Sequence, residues 1–158
     1  MQARMNLFDN PVTAKSLKYL VSAGKALGDS TLPRSTQELV RLRASQINGC
    51  GACVDIHTKE AAADGETAVR LHLVAVWREA TVFTDAERAA LELAEEGTRL
   101  ADAAGGVSDE VWANAVRHYD ADQLGALVSL IANINAFNRL NVMTRQHGGE
   151  YRAGQYVV

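Results

Sequence analysis

Apolar positions along this chain recur every three to four residues, as in helices with one buried face. No stretch of useful length alternates as a half-buried strand would. Residues 1–12 lack the pattern and read as an irregular arm. Over 13–27, Leu17, Leu20 and Val21 share one face and Lys15, Lys18 and Lys25 the other, and Gly28 ends the helix. After a loop at 30–34, Ser35-Thr36-Gln37-Glu38 has the form of a capping box, Ser35 at the N-cap and Glu38 at N3, opening a helix to about Ile47. A helix over 50–64 stops at Gly65. Another, over 66–78, has Val69, Leu73, Val76 and Trp77 as its apolar stripe.

Thr84-Asp85-Ala86-Glu87 is a second capping box, opening a helix to about Ala103 with Leu91, Leu93, Ala94 and Leu100 inward. Gly105-Gly106 breaks the chain, and Ser108 caps a helix over 109–119 that carries Val111, Trp112, Ala115 and Val116. The last helix starts at Asp120 or Ala121 and runs to about Arg145. Its segment LGALVSLIANINAFNRLNV is apolar on nearly every side, which asks for burial by more than one neighbour. His147-Gly148-Gly149 closes it, and residues 150–158 read as irregular. The pattern predicts an all-α fold of about seven helices, one domain over residues 1–158, without tandem repeats.

Composition agrees: 47% of residues are apolar and only two are proline, enough for a packed helical core. A net charge of −3 with no run of Lys or Arg argues against nucleic acid and against an anionic membrane as partners. The first residues, MQARMNLFDNPV, lack the apolar centre of a signal peptide, and no apolar run reaches spanning length. A cytoplasmic protein is expected. There a lone CxxC is more often catalytic or metal-binding than a structural staple.

The chemistry concentrates in ELVRLRASQINGCGACVDIH. It holds both cysteines, Cys50 and Cys53, with His57 four residues further on and Glu38 twelve before Cys50. On a helix, Cys50, Cys53 and His57 fall at i, i+3 and i+7, on one face. The Asn48-Gly49 turn would start that helix near Cys50, where unpaired N–H groups and the helix dipole stabilise a thiolate. His57 could take the Cys53 proton or hold its thiolate as an ion pair. The dipole favours Cys50 as the attacking sulfur and the His57 spacing favours Cys53. Cys53 suits attack on a peroxide, Cys50 attack on a disulfide.

Plainer readings stand beside these. Cys50, Cys53 and His57 could be zinc ligands, but three residues leave a closed site one short, and a fourth from Glu38, His72 or His118 has no supporting spacing. A purely structural disulfide gains little entropy from so short a loop. Glu38 alone is most simply a capping residue. His118 and His147 sit at helix C-termini, where histidine suits the dipole, and His72 is structural. Asn133, Asn135, Asn138 and Asn141 read as buried hydrogen-bonding groups that fix packing or subunit register. Gly105-Gly106 follows no strand and is no phosphate cradle, and nothing calls for a cofactor.

The spacing Glu38-x11-Cys50-x2-Cys53-x3-His57 resembles that of the AhpD-like alkylhydroperoxidases within the carboxymuconolactone decarboxylase superfamily. LVRLRASQINGC, CVDIHTKEA, WRE, FTDAERAALELAE and IANINAFNRLNV resemble that family in order, over roughly residues 39–142. The resemblance implies a helical bundle built to oligomerise, usually as trimers or hexamers. It also implies a hydroperoxide substrate with a thiol or dithiol electron donor. Carried over by position, Cys53 is the thiol that becomes sulfenic acid, Cys50 donates a proton and resolves it to a disulfide, and His57 with Glu38 forms the proton relay. One departure stands out: Ala52 occupies the place of a second histidine directly before the second cysteine. A disulfide reductase, a lactone decarboxylase-like enzyme acting without the thiols, and a non-enzymatic redox or metal-binding module remain the alternatives. Peroxide would enter through an apolar pocket near the CxxC helix.

Overall fold

A computed structural model gives the fold and describes residues 2–102 and 105–155. Among these there are seven α-helices, one 3₁₀ segment and no strand. Helix α1 spans Pro11–Gly28, α2 Arg34–Ile47, α3 Gly51–Ala63, α4 Ala68–Leu73, α5 Asp85–Thr98, α6 Asp109–His118 and α7 Ala121–Thr144, with the 3₁₀ segment Val74–Glu79 after α4.

Local chemistry sets most of the boundaries. Helix α1 starts inside the stretch read as an arm, because Asn10 accepts from the Val12 and Thr13 N–H groups and Pro11 fits the first helical position. At α5 both bonds of the Thr84–Glu87 capping box are made. Ser108 caps α6, and Asp120 with Gln123 makes a further box at α7. The chain leaves α7 through Arg145 in the left-handed conformation (φ 56°).

The structure departs from the sequence pattern at several points. The Ser35–Glu38 letters are not a capping box: α2 begins at Arg34 behind Pro33, which makes no side-chain cap, and Glu38 is turned inward instead. The helix expected over 66–78 is two short pieces, since Val76 leaves helical geometry (φ −123°, ψ 31°). Leu71, Val74 and Trp77 therefore face the core, and Val69 and Val76 are exposed. Helix α5 stops at Thr98, short of Ala103, which lies outside the described residues; Leu100, expected inward, is 57% exposed.

Helix α2 is the hub, packed against α3, α5, α7 and the 3₁₀ segment. Val40, Leu93, Ala115, Leu127 and Leu130 form one buried cluster between α2, α5, α6 and α7. Leu39, Leu42, Leu71, Trp77, Phe83 and Leu91 form a second. Ala44, Cys50, Ala52, Cys53 and Ile134 form a third, with Phe137 packed against it. Each fully buried Leu in these clusters contributes roughly 1.5–3 kcal/mol. Helix α7 packs on α1, α2, α3, α5 and α6, which buries Leu124, Leu127, Leu130, Ile131 and Ile134 and leaves Val128, Val142 and Met143 exposed. The third cluster fixes the start of α3 against α2 and α7, and there the two cysteines lie.

Candidate active site

Asn48 and Gly49 turn the chain from α2 into α3, with Gly49 at φ +65°, where a side chain would be strained. The turn is anchored from α7. Asn48 Nδ2 donates to Asn135 Oδ1 and Asn138 Oδ1, both at 2.9 Å. Asn138 Nδ2 donates to Ser45 Oγ at 3.0 Å, and the Cys50 N–H donates to the Ser45 carbonyl at 3.0 Å. This network delivers Cys50 in extended geometry (φ −83°, ψ 91°) as the N-cap of α3, its Sγ accepting the Cys53 N–H at 3.3 Å.

Cys50 and Cys53 are joined as a disulfide with Cα atoms 5.4 Å apart, and they are 1% and 2% exposed. Cys53 Sγ also accepts a hydrogen bond from Asn141 Nδ2 of α7 at 3.3 Å. His57 follows Cys53 by one helical turn, which puts the two side chains on the same face of α3.

Glu38 on α2, 3% exposed, meets His57 Nδ1 through Oε2 at 2.9 Å. Its Oε1 accepts from Arg41 Nη1 at 2.5 Å. Burial pushes the Glu38 carboxyl upward, but the hydrogen bond and charge of His57, with Arg41 behind them, outweigh it and hold the group below the usual glutamate range. An ionised carboxylate only accepts, so the proton of this bond sits on His57 Nδ1, leaving Nε2 as the nitrogen that can exchange a proton.

The four residues singled out from the sequence thus form two joined pairs, Cys50 with Cys53 and Glu38 with His57, on neighbouring helices. His72, His118 and His147 are exposed, and among the described residues no three of His, Cys, Asp and Glu are arranged to hold a metal ion. A cavity of about 360 Å³ lies beside α3, between it and the start of α2. Its walls include Arg34, Ser35, Glu38, Asp64 and Glu66. The N-terminal end of α2 and the C-terminal end of α3 bring these polar and charged residues together there, and neither cysteine lines it.

Two further groups shape the site without having been singled out for it. Arg41, one turn after Glu38, could have been suspected from its i+3 spacing. Asn141 could have been suspected from lying on one face of α7 with Asn138, although nothing in its own letters names a sulfur. The segment after α7 folds back over α3. The Gly149 and Tyr151 N–H groups donate to Asp55 Oδ2 at 2.6 and 3.1 Å, and Lys59 Nζ donates to the carbonyls of both residues. Gly148 lies so close that a Cβ there would be 2.4 Å from the Gly51 carbonyl oxygen.

The WRE and FTDAERAALELAE blocks build a support away from the sulfurs. Glu95 accepts from Trp77 Nε1 at 3.0 Å and pairs with Arg43 at 2.5 Å and with Arg78. Burial opposes the charged form of Glu95, yet Arg78, Trp77 and Arg43 together keep its carboxyl below the ordinary value.

Fold and site define an all-helical protein with a buried CxxC disulfide backed by a carboxylate–imidazole pair. The chain belongs to the carboxymuconolactone decarboxylase family, whose pattern it matches over residues 14–96, and within it to the AhpD-like members. It is 34% identical to the uncharacterized protein YdfG of Bacillus subtilis (strain 168) over 142 residues, 90% of this chain and 94% of that one. It shares 30% identity and a TM-score of 0.87 with a solved Agrobacterium tumefaciens protein of unknown function, described as a candidate antioxidant defence protein AhpD, covering 95% of this chain and all of that one. The debrominase Bmp8 is similar in fold alone, at 18% identity and a TM-score of 0.77 over 91% of this chain and 75% of that one.

Proposed function

We propose that the chain is a thiol-dependent peroxidase that reduces alkyl hydroperoxides at its CxxC, regenerated by a thiol or dithiol donor. The observation that carries this reading is the pairing of Cys50 with Cys53 beside the Glu38–His57 pair one turn away. A free thiol is only a few per cent thiolate at neutral pH, so a neighbouring base matters. In the reduced site the Cys53 proton passes to His57 Nε2, and Glu38 holds the imidazolium through Nδ1, as a carboxylate does in a triad. The Cys53 thiolate attacks the distal peroxide oxygen. An S–O bond forms, the O–O bond breaks, and the departing alkoxide takes the proton from His57. Cys50 then attacks the sulfenic sulfur, closing the disulfide and releasing water. Two electrons and two protons from the thiol donor restore both thiols.

The resemblance supports a homo-oligomer, and exposed Phe8, Val12, Tyr19 and Met143 would suit one. A cytoplasmic setting suits a CxxC that cycles. No helix among the described residues is long and apolar enough to cross a membrane. A disulfide reductase is the second reading, favoured by Cys50 standing at the α3 N-cap, where a thiolate could attack a disulfide.

Steady-state consumption of cumene hydroperoxide with dihydrolipoamide as donor tests the proposal. Turnover lost in Cys53→Ser and His57→Ala supports it. Turnover of a disulfide substrate alone would favour the reductase, and lactone decarboxylation surviving loss of both thiols would favour the decarboxylase chemistry.

A further inference from the structure

The two sulfurs of the site are held by different donors. Cys50 Sγ accepts the Cys53 N–H of its own helix, and Cys53 Sγ accepts Nδ2 of Asn141, which reaches across from α7. The first contact caps a helix. The second has no structural bond to complete, since a disulfide sulfur is a weak acceptor. It becomes strong only when the sulfur carries charge, because hydrogen bonds to an ionised acceptor are about twice as strong as neutral ones and the site is water-poor. Cys53 is 2% exposed, so a thiolate there finds little water to solvate it and depends on donors from the protein. Ala52, directly before Cys53, supplies none. The other asparagines of α7 are committed elsewhere: Asn135 and Asn138 hold Asn48, and Asn133 Nδ2 donates to the Leu20 carbonyl.

We propose that Asn141 is the hydrogen-bond donor that makes Cys53, rather than Cys50, the attacking sulfur of the reduced site. The proposal rests on reading the CxxC as a redox site and goes on to assign the roles of the two thiols. His57 removes the proton, and Asn141 holds the charge that remains. The same contact fixes the direction of reduction. A donor thiolate attacking Cys50 Sγ forms a mixed disulfide there and expels Cys53 as thiolate onto Asn141. A better stabilised thiolate is the better leaving group, so the mixed disulfide forms on Cys50.

Single-cysteine variants separate the two thiols. The pH dependence of iodoacetamide alkylation is measured for Cys53 in Cys50→Ser and for Cys50 in Cys53→Ser, each with and without Asn141→Leu or the near-isosteric Asn141→Asp. Loss of the donor raises the Cys53 midpoint by about one pH unit, a tenfold loss of thiolate below it, and leaves that of Cys50 in place. Asn141→Asp, which presents a carboxylate to the sulfur, raises it further, and Asn141→Gln restores part of the shift. A Cys53 midpoint that stays put in folded Asn141→Asp, or midpoints of both thiols that move together, overturns the proposal. Alkylation needs no peroxide. A shifted midpoint in a protein that does not turn over peroxide would therefore sink the peroxidase reading and leave the assignment of Asn141 standing.

Discussion

Replacing Glu38 by Gln keeps the shape of the side chain and removes its charge, and the structure sets the expected size of the effect. Glu38 is buried and accepts from His57 at 2.9 Å and Arg41 at 2.5 Å. Removing one partner of a buried ion pair costs roughly 3–5 kcal/mol. The lower end applies here, about 3 kcal/mol, because the Arg41 side chain is 14% exposed and keeps its bond to Gln37 Oε1. For a chain of this size that is a fall in melting temperature of roughly 6–12 °C. The pH dependence follows from the sign of the shift. Glu38 in the fold lies below its ordinary value of 4.5, so its stabilisation is complete above that pH and is lost as pH falls through the native value. Urea midpoints of Glu38→Gln and wild type should differ most at pH 7 and converge below about pH 4.5. On the proposed function, Glu38 acts through His57 as a positioning residue. Peroxide turnover should fall about a hundredfold, the low end for general acid–base assistance. Full turnover in folded Glu38→Gln, or a stability gap that does not narrow on the acid side, would refute the reasoning.

Other outcomes follow from the same geometry. Glu95→Gln strips the carboxylate that holds Arg43, Arg78 and Trp77, and should cost about 3 kcal/mol at pH 7 by denaturant titration. Peroxide chemistry per folded molecule should be unaffected, and a matching loss of turnover would tie this network to the site. Gly148→Ala places a methyl group 2.4 Å from the Gly51 carbonyl oxygen, so the segment over α3 must lift. Amide hydrogen exchange at Gly149 and Tyr151, whose N–H groups donate to Asp55, should then speed up, and unchanged protection would contradict the packing.

What can be read in the letters is what closes locally. The Thr84 box is legible because both of its bonds fall within four residues, and the cysteine turn because Asn48-Gly49 marks it. Ser35–Glu38 offers the same letters, but Pro33 lets α2 begin earlier, and Glu38 finds a better partner in His57, nineteen residues on. That pairing depends on α2 packing against α3, which no local pattern encodes. The break at Val76 and the exposure of Val69 and Leu100 likewise follow from how short pieces dock, since an apolar stripe only says that some face is buried. The letters mark Asn141 as a hydrogen-bonding group of α7, half-buried in the fold, but do not name its partner, a sulfur on another helix.

On the proposed function, the dithiol form of this CxxC reduces a hydroperoxide through Cys53. The most direct measurement mixes fully reduced protein with an organic hydroperoxide in a stopped-flow instrument and counts thiols per subunit. Both thiols should be lost per peroxide consumed, at a rate well above that of free cysteine, and Cys53→Ser should show no such reaction. Thiol loss no faster than free cysteine, or an undiminished rate in Cys53→Ser, would contradict the proposed function.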